Sequence, residues 1–197
     1  MTDIASGRGG GRLAPVSSAA DDPGLARVFD VFRNAGRDVP VLYRTLGNSP
    51  AMLDAWTNLA WPLRHDAKTD RGLRELVVMR VAQLTDAPFE WLAHWEMAVK
   101  HGVSTEQLTA LADWAPSGLF SEEQRDVLAM TDELTRELQV SDATWERLTA
   151  RFDPGEIVEL LLTASFYSCV SRVLRALGLA EDVDQADPRL VALRASG

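Results

Sequence analysis

From Asp22 onward the apolar residues recur at spacings of three and four, the period of a helix that buries one face. Turn and cap residues punctuate that pattern. Asp22-Pro23 opens a segment toward Asn34, with Gly36 to close it, and Ser49-Pro50 places a hydroxyl before a first-turn proline and starts a helix to about Arg64. Asp70 precedes RGLRELVVMRVAQLT, and Ala87-Pro88 opens FEWLAHWEMAVKH, with Gly102 placed to end it in a left-handed conformation. Ser104 with Gln107, and Ser121 with Gln124, have capping-box spacing. Ser141 begins another helix, and Asp153-Pro154 opens the longest apolar segment, which Gly178 ends. There is no alternating apolar–polar run of strand length, no Asn-Gly or Asp-Gly hairpin signal, and isoleucine occurs only at Ile4 and Ile157. The pattern predicts an all-α bundle of about eight helices. The first 20 residues, rich in Gly, Ser and Ala, read as a flexible N-terminal arm, and residues 21–197 as one helical domain.

Composition narrows the function classes. The 197 residues are 46% hydrophobic and 25% charged, which is globular composition, and the net charge of −9 offers no basic stripe for nucleic acid or an anionic membrane. Cys169 is the only cysteine, so an intramolecular disulfide, a CxxC pair and a cysteine-rich zinc site are excluded; it reads as an inert buried thiol. No apolar run approaches the about 20 residues of a membrane helix, and the N-terminus lacks the apolar stretch of a secretory signal. A cytoplasmic protein is the expectation.

Function is sought where polar groups interrupt apolar helices. On the helix that starts at Pro88, Glu90, His94, Met97 and His101 fall on one stripe. Glu90 and His94, four apart, can act together as an acid–imidazole pair, with Trp91 and Trp95 flanking them. The plainer reading is a solvated Glu–His pair beside two core tryptophans. On the preceding helix Glu75 and Arg80 sit among Leu76, Val77, Val78, Met79 and Val81, so each needs a partner. Either Arg74 or Arg80 closes an ion pair with Glu75, or Glu75 faces His94 across two antiparallel helices joined by a short connection. Tyr167 and Arg172, on the last long helix, suit a pocket or a subunit interface. His65 reads as a solvated loop residue. Glu75, Glu90, His94 and His101 offer oxygen and nitrogen ligands, but no HExxH or paired ExxH motif is present, and no metal is assigned.

The segments RELVVMRVA (74–82), FEWLAH (89–94) and GVS (102–104) closely resemble the carboxymuconolactone decarboxylase family, which includes the alkylhydroperoxidase D-like proteins. The likeness runs from Ser49 to about Leu111, and the segment after Asp153 resembles the C-terminal helix of longer members. The resemblance implies an all-helical fold assembled as trimers or hexamers, with a small-molecule substrate. In its peroxidase branch a glutamate is followed by CxxC and a histidine. Glu75 matches that glutamate and His94 the histidine, while the cysteine positions fall on Ala87 and Glu90. Without both thiols, thiol-based peroxide reduction is not expected. The remaining Glu75, Glu90 and His94 fit the decarboxylase side, for which no organic cofactor is implied. On this reading His94 delivers a proton and Glu90 or Glu75 orients it. Arg80 or Arg172 anchors a carboxylate, Tyr167 lines the pocket, and Trp91 and Trp95 form an apolar wall. The expected activity is a cofactor-independent decarboxylase, or a related lyase or isomerase, on a small carboxylated substrate. A non-catalytic ligand-binding or regulatory protein and a metal-assisted enzyme are the alternatives.

Overall fold

The computed structural model describes residues 11–17, 22–179 and 183–195, and among them every regular element is helical. The helices are α1 (Pro23–Asn34), α2 (Val41–Leu46), α3 (Pro50–His65), α4 (Arg71–Leu84), α5 (Pro88–Lys100), α6 (Thr105–Ala110), α7 (Glu122–Glu137), α8 (Asp142–Arg151), α9 (Pro154–Leu177) and α10 (Leu190–Arg194), with a 3-10 turn at Leu111–Asp113. The eight expected helices are present. The additional α2 and α10 span six and five residues, too short to display a period.

The predicted caps hold at most ends. Asp22 and Asp70 accept from Leu25 N and Leu73 N (2.9 and 3.0 Å). Capping boxes form at Ser104–Gln107, Ser121–Gln124 and Asp153–Glu156. Ser49 occupies its cap position but its hydroxyl makes no cap bond; Pro50 alone marks that start.

Helix α4 is the axis of the bundle. Its residues from Gly72 to Gln83 are all buried, and its two faces serve different cores. Leu73, Val77, Val78 and Val81 join α1, α2, α3, α7, α8 and α9 in one apolar cluster. Leu76, Met79 and Ala82 join Trp91, Trp95, Leu108, Leu111 and Leu193 in the other. Close approach of α4 to the end of α5 is possible because Gly72 lacks a side chain: a Cβ there would lie 2.2 Å from the His101 carbonyl oxygen.

Two expectations change. Helix α9, with a mean hydropathy of 1.5 over its most apolar window, is long and apolar enough to cross a membrane, although 56% of that window is buried inside the protein, as a core helix requires. Cys169, on its outward side, is exposed rather than buried. Within the stretch read as an arm, Arg12 N donates to Leu177 O (2.6 Å) and Val16 N to Arg44 O (3.0 Å). The rest of that stretch lies outside the described residues.

Candidate active site

Helices α4 and α5 pack antiparallel and bring Glu75 against His94. Nδ1 of His94 donates to Oε2 of Glu75 at 2.7 Å. The other oxygen, Oε1, accepts from Nε of Arg71 at 2.7 Å, one turn earlier on α4, and a second Arg71 nitrogen reaches the same atom. Arg71 also donates to the Arg64 carbonyl, which ties α3 to α4. Glu75 is 1% exposed and both its oxygens are occupied. The Glu75–Arg71 pair replaces the ion pair considered with Arg74 or Arg80. Arg74 instead donates to the Thr69 carbonyl and, at 2.9 Å, to the Thr69 hydroxyl.

The far side of the imidazole opens on a cavity of about 320 Å³ between α1, α2, α3, α5 and α9. Its wall carries Glu90, His94 and Met97 from α5, which are three of the four residues of the predicted stripe; His101 caps α5 at a separate surface groove. Nε2 of His94 lies 3.7 Å from Oε2 of Glu90, beyond hydrogen-bond distance. The lining also includes Trp56, Trp61 and Arg64 of α3 and Phe89 of α5. Nε of Arg64 donates to the Tyr167 hydroxyl (3.1 Å) and Nη1 to the Tyr43 hydroxyl (3.2 Å). Among the described residues no carboxylate pairs with Arg64. Its side-chain hydrogen bonds go only to these two phenols, and its charge acts on Glu90 across the cavity. The Tyr167 ring meets the His94 ring edge-on, with centroids 4.9 Å apart.

These surroundings pull the two carboxyl groups apart. Burial pushes Glu75 up, but the His94 hydrogen bond and charge, with Arg71, outweigh it and hold Glu75 below the usual carboxylate range. Burial also pushes Glu90 up, and the opposing charges of His94 and Arg64 do not overcome it. Glu75 is the ionised partner and Glu90 the group biased toward its neutral form. Burial raises the Tyr167 phenol to about 12, so it keeps its proton at neutral pH.

The remaining predicted residues lie elsewhere. Trp91 and Trp95 belong to the opposite core; Trp91 is fully buried and its Nε1 donates to the Arg189 carbonyl at 2.8 Å. They are displaced from Glu90 and His94 by one residue, about 100° around the helix, which turns them away from the cavity. Arg80 is not a substrate anchor: it grips Asp132 with two nitrogens (2.5 and 2.8 Å) and bonds Gln83 and the Leu111 carbonyl. Arg172 is exposed and donates to the Ser168 carbonyl, on its own helix and outside the cavity. Tyr167 lies at the site, but behind Arg64 and His94 rather than on the wall. His65 is exposed, as expected, although it ends α3 at the cavity rim instead of lying in a loop. Among the described residues no three His, Cys, Asp or Glu side chains are grouped as ligands for a metal ion. Sequence reasoning missed Arg64, Tyr43, Trp56 and Trp61. Arg71 left a signal, its four-residue spacing from Glu75; Arg64, in the last turn of α3, left none.

Residues 50–133 match the carboxymuconolactone decarboxylase family. Over 123 residues the chain is 30% identical to the uncharacterized protein YnjA of Escherichia coli K12, covering 61% of this chain and 67% of that protein. Two solved structures share the fold. The debrominase Bmp8 in its apo form has a TM-score of 0.73 at 16% identity, over 92% of this chain and 96% of that one. An uncharacterized peroxidase-related protein from Ralstonia eutropha JMP134, described as an alkylhydroperoxidase AhpD core, has a TM-score of 0.70 at 20% identity, over 88% and 93%.

Proposed function

The protein belongs to the carboxymuconolactone decarboxylase family, and we propose that within it the chain is a lyase or isomerase that protonates a carbanion-like intermediate of a small carboxylated substrate. The observation that carries this reading is His94 standing at a cavity wall between an ionised Glu75 and a Glu90 biased toward neutrality. Two carboxyl groups whose environments push their proton affinities apart are the usual mark of an acid/base site. That one protein with this fold is a debrominase agrees with a fold that hosts enzymes.

On this proposal the substrate carboxylate lies against Arg64, and its unsaturated or ring portion against Trp56, Trp61 and Phe89. Loss of CO₂ leaves the bonding electron pair on an enolate or dienolate. Protonated His94, held at Nδ1 by Glu75, gives its Nε2 proton to the carbon, and Glu90 returns a proton from solvent to Nε2. The cavity's low polarity favours the step, because charge disperses from a carboxylate into a delocalised anion. No redox partner enters the balance, and the missing thiols are not required.

The test is CO₂ release from a panel of β-keto acids and unsaturated lactone acids, with deuterium incorporation followed in D₂O. His94→Ala should lower turnover by roughly 10²–10⁴-fold, and Arg64→Gln should act mainly on KM. Equal rates for wild type and His94→Ala would overturn the proposal.

Self-association is proposed as well, on a separate observation. Val158 and Leu162 of α9 are 53% and 40% exposed, four residues apart on an outward face that also carries Cys169. Light scattering should give a multiple of the 21.6 kDa chain mass; a monomer at micromolar concentration would contradict it.

A further inference from the structure

Next to the cavity lies a second hollow, of about 400 Å³, between α1, α2 and the segment joining them. Three guanidinium groups line it: Arg33, Arg37 and Arg44. In a chain of net charge −9 such a concentration of cations is unusual, and their partners are few. Arg33 reaches only Asp30, at 3.4 Å and in the open. Among the described residues Arg37 and Arg44 have no ion pair, and Nε of Arg44 is buried without any hydrogen-bond partner. Asp38 is the one carboxylate on the lining, and it pairs with none of the three. Arg33 and Arg37 instead lie over aromatic rings, with Cζ 5.6 Å from the Phe29 centroid and 5.8 Å from that of Phe32. Those contacts restrain two long side chains beside the hollow without neutralising them.

We infer that this hollow is a binding site for a phosphate-class anion. Three guanidinium groups around one hollow suit a tetrahedral, multiply charged oxyanion, each offering paired N–H donors. Arg44 is half-buried at the hollow, and among the described residues its guanidinium donates no hydrogen bond to the protein, so its N–H groups keep their capacity for an acceptor. Arg37 lines both this hollow and the cavity that holds His94. The anion is therefore either free phosphate or the phosphate of a larger molecule whose apolar part enters the cavity. The site stands on its own arginines and does not depend on the acid/base reading.

Isothermal titration calorimetry with inorganic phosphate and with phenyl phosphate, at low ionic strength, tests it. Both should bind wild type, with affinity falling as salt rises. Arg44→Gln and, separately, Arg37→Gln should weaken both by about tenfold or more, the worth of a charged hydrogen bond, at unchanged melting temperature. His94→Ala should bind inorganic phosphate like wild type, which separates this site from the proton-transfer proposal. If phenyl phosphate binds more tightly than phosphate and Ala93→Phe, which narrows the cavity, removes the difference, the occupant spans both spaces; equal affinities mark phosphate alone. No binding of either probe, or binding unmoved by both arginine substitutions, would overturn the inference.

Discussion

On its two sides, the α4–α5 pair buries the same kinds of residue to different ends. On one side Arg80, Trp91 and Trp95 meet Asp132, Gln83 and the carbonyls of Leu111 and Arg189, and the space between is filled. On the other, Glu90, His94 and Arg64 line a cavity with Glu75 behind the imidazole, and Nε2 of His94 makes no hydrogen bond there among the described residues. A closed polar network holds helices together. An open one keeps capacity for a ligand, at some expense in stability. Burial of a charged residue therefore does not by itself mark a functional site; the state of its remaining donors and acceptors does.

The two sides should part company under mutation. Trp91→Ala removes a fully buried indole and its hydrogen bond, and should cost about 3–5 kcal/mol of stability. Arg80→Ala leaves Asp132 with only Arg136 and the Trp114 indole, and should cost about 3 kcal/mol. Denaturant melts measure both. Arg64→Gln, at the cavity, loses its bonds to the Tyr43 and Tyr167 hydroxyls and should cost about 1–2 kcal/mol, less than Arg80→Ala, while weakening carboxylate binding. If Arg64→Gln proves as destabilising as Arg80→Ala, the distinction between the sides fails.

A smaller effect concerns pH. Glu90 lies above its ordinary value of 4.5 in the folded protein, so the fold keeps a proton that the unfolded chain releases. Stability is lost as pH rises from 4.5 through the raised value, and Glu90→Gln should remove that loss, leaving the variant more stable than wild type at neutral pH. Glu75 behaves in the opposite sense. Its contribution is complete above 4.5 and disappears as pH falls through its lowered value, so Glu75→Gln should flatten the acid limb of the stability curve. Smallest of all, Cys169→Ser should leave turnover and melting unchanged, since the exposed thiol is outside the cavity.

What could be read in the sequence follows the reach of local spacing. The helices with caps and prolines were legible, while the short connection that makes α4 and α5 antiparallel left the facing of Glu75 and His94 as one of two open readings. Arg64, Tyr43 and Tyr167 converge from α2, α3 and α9, and no spacing along the chain encodes that meeting. The assignment of Trp91 and Trp95 to the pocket failed for a related reason. Their four-residue spacing puts both on one face, but which face meets α10 depends on a five-residue helix whose own sequence shows no period.

The central claim is the opposite protonation of two glutamates flanking one histidine. Carbon-13 NMR titration of protein labelled at the glutamate carboxyl carbon, with Glu75→Gln and Glu90→Gln assigning the two signals, measures it directly. The account predicts one carboxyl titrating below the ordinary range and lost in Glu75→Gln, and another titrating above it and lost in Glu90→Gln. Two carboxyls titrating together in the ordinary range would contradict it.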